Sequence, residues 1–160
     1  MGVEIERKFL VTGDGWRDQA DPGQVFRQGY LTTVAERTVR VRRAGDRAWL
    51  TIKGRPEGRV RAEFEYEIPA ADADELLALC EPTPIDKTRY RLEHAGHVWE
   101  VDVFAGANAP LVVAEVELPD AGTEVALPAW VGQEVTDDPR YQNARLSREP
   151  YGTWGATGRD

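Results

Sequence analysis

Charged and apolar residues alternate along the first ten positions of the chain, MGVEIERKFL. Glu4, Glu6 and Lys8 occupy every second position, and Ile5 and Phe9 fall between them. Successive side chains of a β-strand point to opposite faces, so this spacing predicts a strand with one charged face and one largely apolar face. The charged face either meets solvent or lines a polar interior, and this strand alone does not distinguish the two.

Later segments repeat this alternation, and their charged faces differ in sign. The charged positions of TVRVR and KTRYRL are all basic, whereas those of WEVDV and of the end of LVVAEVEL are all acidic. A single strand with one charged face is usually a surface strand, but faces of complementary sign in strand after strand favour a shared polar interior. The segments concerned are Thr38–Arg42, Leu50–Lys53, Arg61–Ile68, Lys87–Leu92, Trp99–Val103 and Leu111–Leu118.

The pattern predicts eight strands, mostly joined by hairpins, and few helices. A barrel is the economical arrangement, because closure removes exposed strand edges and eight strands leave room inside for side chains or one small ligand. We therefore expect a mainly β, α+β fold: an eight-stranded antiparallel closed barrel with a charged interior and helices on its outside. The strands are expected at about Met1–Leu10, Val25–Thr32, Arg37–Arg43, Arg47–Lys53, Arg61–Ile68, Asp86–His94, His97–Phe104 and Leu111–Leu118.

Helix signals are confined to a few places. Pro69–Cys80 has acidic residues near its start and an apolar side, which predicts a helix. Trp16–Ala20 and Trp130–Val135 are expected to form short helical turns. An Asp-Pro capping pair begins a last predicted helix over Asp138–Ser147. The Gly-rich end, Gly152–Asp160, is expected to be a frayed tail.

The chain has 160 residues, of which 41% are hydrophobic, and this suits one domain with one core. We expect the domain to span residues 1–150, with a flexible tail at 151–160. The net charge of −8 argues against a general nucleic-acid-binding protein. A single cysteine, Cys80, permits no intramolecular disulfide and fits a reducing cytoplasm. The charged N-terminus is unlike a signal peptide, and no apolar run approaches the length of a membrane span.

Six basic residues would point into the predicted barrel, and their charges would be very costly to bury in a dry, empty interior. A polyanion would explain them, since arginine and lysine both bind phosphate oxygens. Carboxylates on neighbouring strands would repel that anion unless a hard divalent cation joined the two. The charges together predict a site for a metal-complexed oligophosphate. The cations are Lys8, Arg40, Arg42, Lys53, Lys87 and Arg89, and the carboxylates are Glu4, Glu6, Glu63, Glu65, Asp102, Glu115 and Glu117.

The segment Glu4-Ile5-Glu6-Arg7-Lys8 resembles the ExExK motif of the CYTH superfamily, also called the triphosphate tunnel metalloenzymes. The resemblance continues in order and spacing to about residue 146, so it covers nearly the whole chain. The chain looks like the short bacterial members, several of which hydrolyse inorganic triphosphate. The further segments that carry the resemblance are Arg27–Leu31, Arg40 with Arg42, Thr51–Lys53, Arg61–Glu65, Lys87–Tyr90, Asp102–Gly106, Glu115–Glu117, Gly132–Thr136, Arg140 with Tyr141, and Asn143.

The resemblance implies a tunnel-shaped barrel, one end of which can be plugged by the C-terminal helix. It also implies an enzyme that hydrolyses inorganic triphosphate to pyrophosphate and phosphate with Mg²⁺ or Mn²⁺, and we expect two ions. The single cysteine and the charged N-terminus lead us to expect a cytoplasmic protein. Members of the family often form homodimers, so the resemblance also makes a homodimer an assembly to test. No nucleic-acid or membrane partner is expected.

We divide the predicted site residues into three roles. The expected phosphate ligands are Lys8, Arg40, Arg42, Lys53 and Arg89. The expected ligands of one metal ion are Glu4, Glu6, Glu115 and Glu117, and Asp102 and Glu63 would place a second ion or the attacking water. Lys87 either binds phosphate or, if its neighbours lower its pKa, takes the proton of that water.

Two alternatives stay open at this point. The superfamily also contains thiamine triphosphatases, RNA triphosphatases and adenylyl cyclases, and no short motif marks a nucleoside pocket. The second alternative is a polyphosphate- or nucleotide-binding module that keeps the charges without turnover. No lost motif residue favours that module.

Overall fold

A computed structural model of the chain describes residues 2–80 and 84–155. Within these residues there are nine β-strands, two α-helices and four short 3₁₀ turns. The strands are β1 (Gly2–Val11), β2 (Gln24–Thr32), β3 (Arg37–Ala44), β4 (Arg47–Gly54), β5 (Val60–Ile68), β6 (Ile85–His94), β7 (His97–Phe104), β8 (Val112–Glu117) and β9 (Val131–Glu134). The helices are α1 (Ala70–Leu79) and α2 (Asn143–Arg148).

Strands β1 to β8 form a closed antiparallel barrel, which confirms the prediction. Their order is β5-β4-β3-β2-β6-β7-β8-β1, and β5 pairs with β1 to close the sheet. The two halves of β1 pair with different strands where the barrel closes. Residues 2–5 pair with β5, and residues 6–10 pair with β8. The N-terminal strand therefore joins the two ends of the sheet.

The ninth strand corrects one prediction. The helical turn expected at Trp130–Val135 is wrong, because Val131–Glu134 pairs antiparallel with the end of β1. Beyond residue 5, β1 has no partner from β5, and its free backbone groups favour a strand at this edge. Gly132 permits the close approach, since an added Cβ would lie 3.2 Å from the Leu10 carbonyl oxygen.

Much of the apolar core lies outside the barrel wall. Trp99 of β7 and Phe9 of β1 belong to a buried cluster that the loops after β1 and β8 cover with Trp16 and Trp130. The Trp99 ring centroid lies 5.6 Å from that of Phe9 and 5.7 Å from that of Trp130. Because the outward faces are buried in this way, the inward faces are left for charged side chains.

Helix α1 lies on the outside of the barrel, close to its predicted bounds. Its Ala73 packs against Val41 and Ala48, and all three side chains are fully buried. Gly29 of β2 also approaches this region, since an added Cβ would lie 2.7 Å from the Cys80 Cβ. Among the described residues no helix is long and apolar enough to cross a membrane.

The C-terminal segment packs against inward-facing side chains at one end of the barrel. Asp138 caps it by accepting a hydrogen bond from the Arg140 N–H, as predicted. The helix expected over Asp138–Ser147 is nevertheless divided into a 3₁₀ turn, an extended Gln142 and then α2. The break brings Tyr141 and Leu146 into one buried cluster, so packing outweighs the local helix signal.

The start of the predicted tail, up to residue 155, makes local contacts with the domain. Tyr151–Thr153 forms a 3₁₀ turn, and the Trp154 ring lies 5.3 Å from that of Tyr141. The Trp154 indole N–H also donates to the Glu149 carbonyl oxygen. The flexible-tail prediction stays a prediction for residues 156–160, which lie outside the described residues, as do Met1 and residues 81–83.

Candidate active site

Inward-facing charges from several strands converge on one cavity of about 240 Å³. They come from alternate residues, as the side-chain period of a strand requires. Two predicted site residues, Lys53 and Asp102, are not among the lining side chains and instead pair with them. The predicted residues that line the cavity are Glu4, Glu6, Lys8, Arg40, Arg42, Glu63, Glu65, Lys87, Arg89, Glu115 and Glu117.

We call Arg40, Arg42, Lys87 and Arg89 the basic wall. The first two lie on β3 and the other two on β6, with β2 between these strands. The ring of Phe26 from β2 lies 4.3 Å from the Arg42 guanidinium carbon and 5.3 Å from that of Arg89. Contact with one aromatic ring helps to hold the two like charges near each other.

Arg42 has little compensation for its charge. Burial lowers its pKa to about 9, and Arg40 and Arg89 act in the same direction. Its Nε donates to the Gln28 Oε1 over 2.8 Å, and no described carboxylate lies within ion-pair distance of it. The basic wall therefore has an excess of positive charge that a bound anion would relieve.

Asp102 of β7 lies behind the basic wall and is 1% exposed. Arg89 donates to both of its oxygens, over 2.7 and 2.9 Å, and the Lys87 Nζ donates to Oδ2 over 2.7 Å. Burial acts to raise the pKa of Asp102, but these two cations overcome it and hold the pKa far below its usual range. The carboxylate thus orients two cations, and this position does not support its predicted metal role.

Lys87 is 2% exposed, and its environment disfavours the charged form. Burial is the largest effect on its pKa, and Arg89 and Arg42 add to it. Asp102 acts in the opposite direction, but Arg89 already engages both of its oxygens. The result is a pKa of about 7, so a share of Lys87 is an uncharged amine near neutral pH.

We call Glu4, Glu6, Glu63, Glu115 and Glu117 the acidic wall. Burial raises the pKa of Glu6 well above its usual value, and Glu115 and Glu4 raise it further. Burial also raises the pKa of Glu117. Among the described residues, neither Glu6 nor Glu117 forms a side-chain hydrogen bond or an ion pair. Part of this wall therefore lacks a cationic partner within the described protein.

Two lysines lie among the acidic residues. The Lys53 Nζ is 3.0 Å from both Glu4 oxygens and 3.4 Å from a Glu63 oxygen. Its ammonium therefore pairs with carboxylates, which does not support the predicted role as a phosphate ligand. The Lys8 Nζ lies 3.7 Å from Glu115. Burial acts to raise the pKa of Glu115, but Lys8 and Arg89 lower it to about 2.

The acidic wall fits a divalent cation that is shared with a bound anion. Carboxylate oxygens are the donors that Mg²⁺ and Mn²⁺ prefer, and Glu6 and Glu117 are available. In residues 2–80 and 84–155, no three acidic, His or Cys side chains come close enough to hold a metal ion by themselves. Mg²⁺ usually completes its shell with water and substrate phosphates, so separated carboxylates suit it better than a protein-only cage would.

Comparison with known proteins identifies the family to which this chain, with its cavity of basic and acidic walls, belongs. Residues 2–150 match the family described as the CYTH domain. The chain belongs to the CYTH domain family. The family resemblance inferred from the sequence is thereby confirmed.

Two relatives of this chain are named inorganic triphosphatase. The protein from Acetivibrio thermocellus is 48% identical over 152 residues, which cover 94% of this chain and 97% of the relative. The protein from Nitrosomonas europaea is 38% identical over 149 residues, covering 91% and 97%. The solved structure of the inorganic triphosphatase NE1496 has a TM-score of 0.64 at 36% identity, and the match covers 89% of this chain and 96% of that one.

Several cavity-lining residues were missed as site residues by sequence reasoning. Arg61, Arg91 and Glu100 lie on strand faces predicted to be charged, but they received no role. The uncharged lining residues could not be found from the alternation of charged positions. Two of them, Tyr30 and Asn143, lie in the segments that resemble the family, and this was the available evidence for them. The missed uncharged lining residues are Tyr30, Thr38, Gln142, Asn143 and Ala144.

Proposed function

We propose that this CYTH protein hydrolyses inorganic triphosphate to pyrophosphate and phosphate in its cavity, with a divalent metal ion. The observation that carries the proposal is the pairing of a basic wall with an acidic wall around about 240 Å³. The Arg40 Nε is also buried and has no hydrogen-bond partner among the described residues. An orphan guanidinium donor beside an anion-sized cavity supports phosphate binding.

The lining favours a bare triphosphate over a nucleotide. Of the described residues around the cavity, Tyr30 is the one aromatic side chain, so there is little surface on which a nucleobase could stack. The names of the two relatives, both inorganic triphosphatases, support the same substrate. The physiological substrate would then be inorganic triphosphate itself.

The basic wall would bind the phosphates, and the acidic wall would bind the metal ion. Arg40, Arg42 and Arg89 would bind phosphate oxygens, with Lys8 at the junction of the walls. Mg²⁺ or Mn²⁺, as one ion or two, would supply charge neutralisation at the phosphates when bound. Its first protein ligands would be Glu6 and Glu117, which have no cationic partner among the described residues, and Glu4, Glu115 and Glu63 would lie beside them. Lys53 would balance the acidic wall, and Asp102 would orient Lys87 and Arg89.

Lys87 would accept the proton in the chemical step. The water oxygen forms a bond to a terminal phosphorus, a bridging P–O bond breaks, and pyrophosphate leaves. The proton of the water goes to the Lys87 Nζ, whose pKa of about 7 suits a base near neutral pH. The competing role for Lys87 is that of a charged phosphate ligand.

A substrate panel tests the proposal. Tripolyphosphate, ATP, thiamine triphosphate and long-chain polyphosphate are each incubated with Mg²⁺ or Mn²⁺, and phosphate, pyrophosphate and cyclic AMP are measured separately. We expect equal amounts of phosphate and pyrophosphate from tripolyphosphate, at a kcat/KM well above that for the others. Cyclic AMP from ATP would instead identify a cyclase. Tight binding of tripolyphosphate without any product would identify a binding module. A homodimer stays a prediction for light scattering to test.

A further inference from the structure

Asn143 is the first residue of α2 and reaches a buried hydrogen-bond network in the barrel wall. Its Oδ1 accepts from the Lys87 Nζ over 2.9 Å and from the Gln28 Nε2 over 3.1 Å. The Gln28 Oε1 in turn accepts from the Arg42 Nε over 2.8 Å. The C-terminal segment is therefore connected to two members of the basic wall.

The hydrogen-bond partners of Gln28 and Asn143 fix which way each side-chain amide is turned. The Arg42 guanidinium has only donors, so Gln28 must turn its oxygen towards it and its NH₂ towards Asn143. The Gln28 NH₂ and the Lys87 amine both donate, so Asn143 must present its oxygen to them. The network is consistent in one arrangement of donors and acceptors.

This arrangement constrains the amine of Lys87. Its nitrogen is tetrahedral, with the Cε in one position and hydrogens or a lone pair in the other three. Asp102 accepts from it over 2.7 Å and Asn143 over 2.9 Å, so two hydrogens have fixed acceptors. In the uncharged amine the remaining position is the lone pair. Lys87 lines the cavity, so that lone pair is left for the cavity.

We propose that Asn143 is a positioning residue for Lys87, by which the C-terminal segment completes the active site. Asn143 and Asp102 together hold the two hydrogens of the amine and aim its lone pair at the water. The inference rests on the proposed role of Lys87 as proton acceptor. It assigns to the segment beyond β9 a part in the chemical step, in addition to its packing at one end of the barrel.

The test compares variants at Asn143 with a control on the same helix. Asn143→Leu and the smaller Asn143→Ala both remove the acceptor, whereas Asn143→Asp keeps an oxygen in the same place. Ser147→Ala is the control, because among the described residues the Ser147 hydroxyl has one hydrogen-bond partner, the Ala144 carbonyl oxygen of the same segment. Each protein is assayed with tripolyphosphate and Mg²⁺ at its own pH optimum, and its thermal unfolding is followed.

We expect Asn143→Leu and Asn143→Ala to lose about 10- to 100-fold in kcat, because a misdirected base costs about this much. Their KM should stay within about threefold, since the phosphate ligands are untouched. Asn143→Asp should retain most of kcat at its optimum, and Ser147→Ala should behave like the parent.

Three results would overturn the inference. One is parental kcat in both Asn143→Leu and Asn143→Ala while Lys87→Arg is inactive, which leaves the proposed function intact. Another is an equal loss of kcat in Ser147→Ala, or a loss that only follows unfolding, since either would mean a general packing effect. The third is parental kcat in Lys87→Arg, which would reject the proton-acceptor role and the inference with it.

Discussion

The two walls of the cavity differ in how far contacts within the protein hold their charged side chains in place. The basic wall is held by buried partners: Asp102 engages two of its cations, the Phe26 ring contacts two, and Gln28 binds Arg42. The acidic wall has fewer partners, and Glu6 and Glu117 have none among the described residues. The basic wall is therefore formed before any ligand binds, and we propose that a cation completes the acidic wall.

This difference suggests why one cavity contains both positively and negatively charged side chains. A wall of fixed cations can receive triphosphate with little rearrangement, and preorganised charges of this kind favour a charged transition state. In the acidic wall the raised pKa values of Glu6 and Glu117 show that their ionised forms are disfavoured while the cavity is empty, and a divalent ion would relieve this repulsion. Substitutions in the two walls should thus have different consequences for activity and for stability.

The largest effect is expected at Lys87 in the basic wall. Lys87→Arg keeps the positive charge but cannot lose its proton near neutral pH, so kcat should fall by about 10²- to 10⁴-fold. Binding of tripolyphosphate, measured by calorimetry with Mg²⁺, should change little. A variant that turns over at close to the parental rate would make Lys87 a phosphate ligand only.

In the acidic wall, Glu6→Gln should separate activity from stability. We expect kcat/KM for tripolyphosphate to fall about 100-fold, because a proposed metal ligand loses its charge. The metal-free variant should be more stable at neutral pH, since the raised pKa of Glu6 means that its ionised form is disfavoured in the fold. A rise in Tm of about 2–4 °C would correspond to 1 kcal/mol for a domain of this size.

The sign of that stability effect can be checked by pH. A carboxyl whose pKa is raised on folding stabilises the fold at low pH, and this contribution is lost as pH rises through the folded pKa. The gain in Glu6→Gln should therefore grow as pH increases from acidic to neutral. An activity loss accompanied by lower metal-free stability at neutral pH would show a structural role instead.

A smaller effect is expected for Arg42→Ala, which should raise KM for tripolyphosphate about tenfold, the effect of losing one charge-assisted hydrogen bond. The fold should stay intact, because Arg42 is buried near two other cations. Arg47→Ala is the matched control: it removes the same charge from an exposed pair with Glu67, outside the cavity. Equal KM values for Arg42→Ala and the control would mean that Arg42 does not bind phosphate.

The smallest effect is a shift in the pH profile. Lys87 must lose its proton to act as a base, so kcat/KM of the parent should rise with pH through about 7. Arg42 lowers this pKa, so Arg42→Gln should move the rise to higher pH by a fraction of a unit. A profile that shows no group near pH 7, or a shift to lower pH in the variant, would contradict the assignment.

The barrel and its charged interior could be predicted because both follow from a period of two. Glu4, Glu6 and Lys8 lie on the cavity side of β1, and Phe9 packs outside, as the alternation predicts. The strand at Val131–Glu134 could not be predicted in this way. It forms because β1 leaves an edge free, and that depends on how β5 and β8 divide the length of β1.

The sequence predicted site residues that carry a charge, but not the uncharged residues of the site. Asp102 faces inward as expected, but which charges it meets depends on the register of β6 against β7, which places Arg89 opposite it. Asn143 carries no charge, and it reaches Lys87 from a segment distant in sequence. Contacts of this kind are set by tertiary structure, so alternation within single strands does not reveal them.

We propose that the acidic wall binds a divalent metal ion and that the cavity cannot turn over triphosphate without it. The most direct measurement is the rate of phosphate release from tripolyphosphate after the protein is stripped with a chelator, and again after Mg²⁺ or Mn²⁺ is restored. We predict that activity disappears on stripping and returns with either ion. Hydrolysis at the full rate in the continued presence of the chelator would contradict this account.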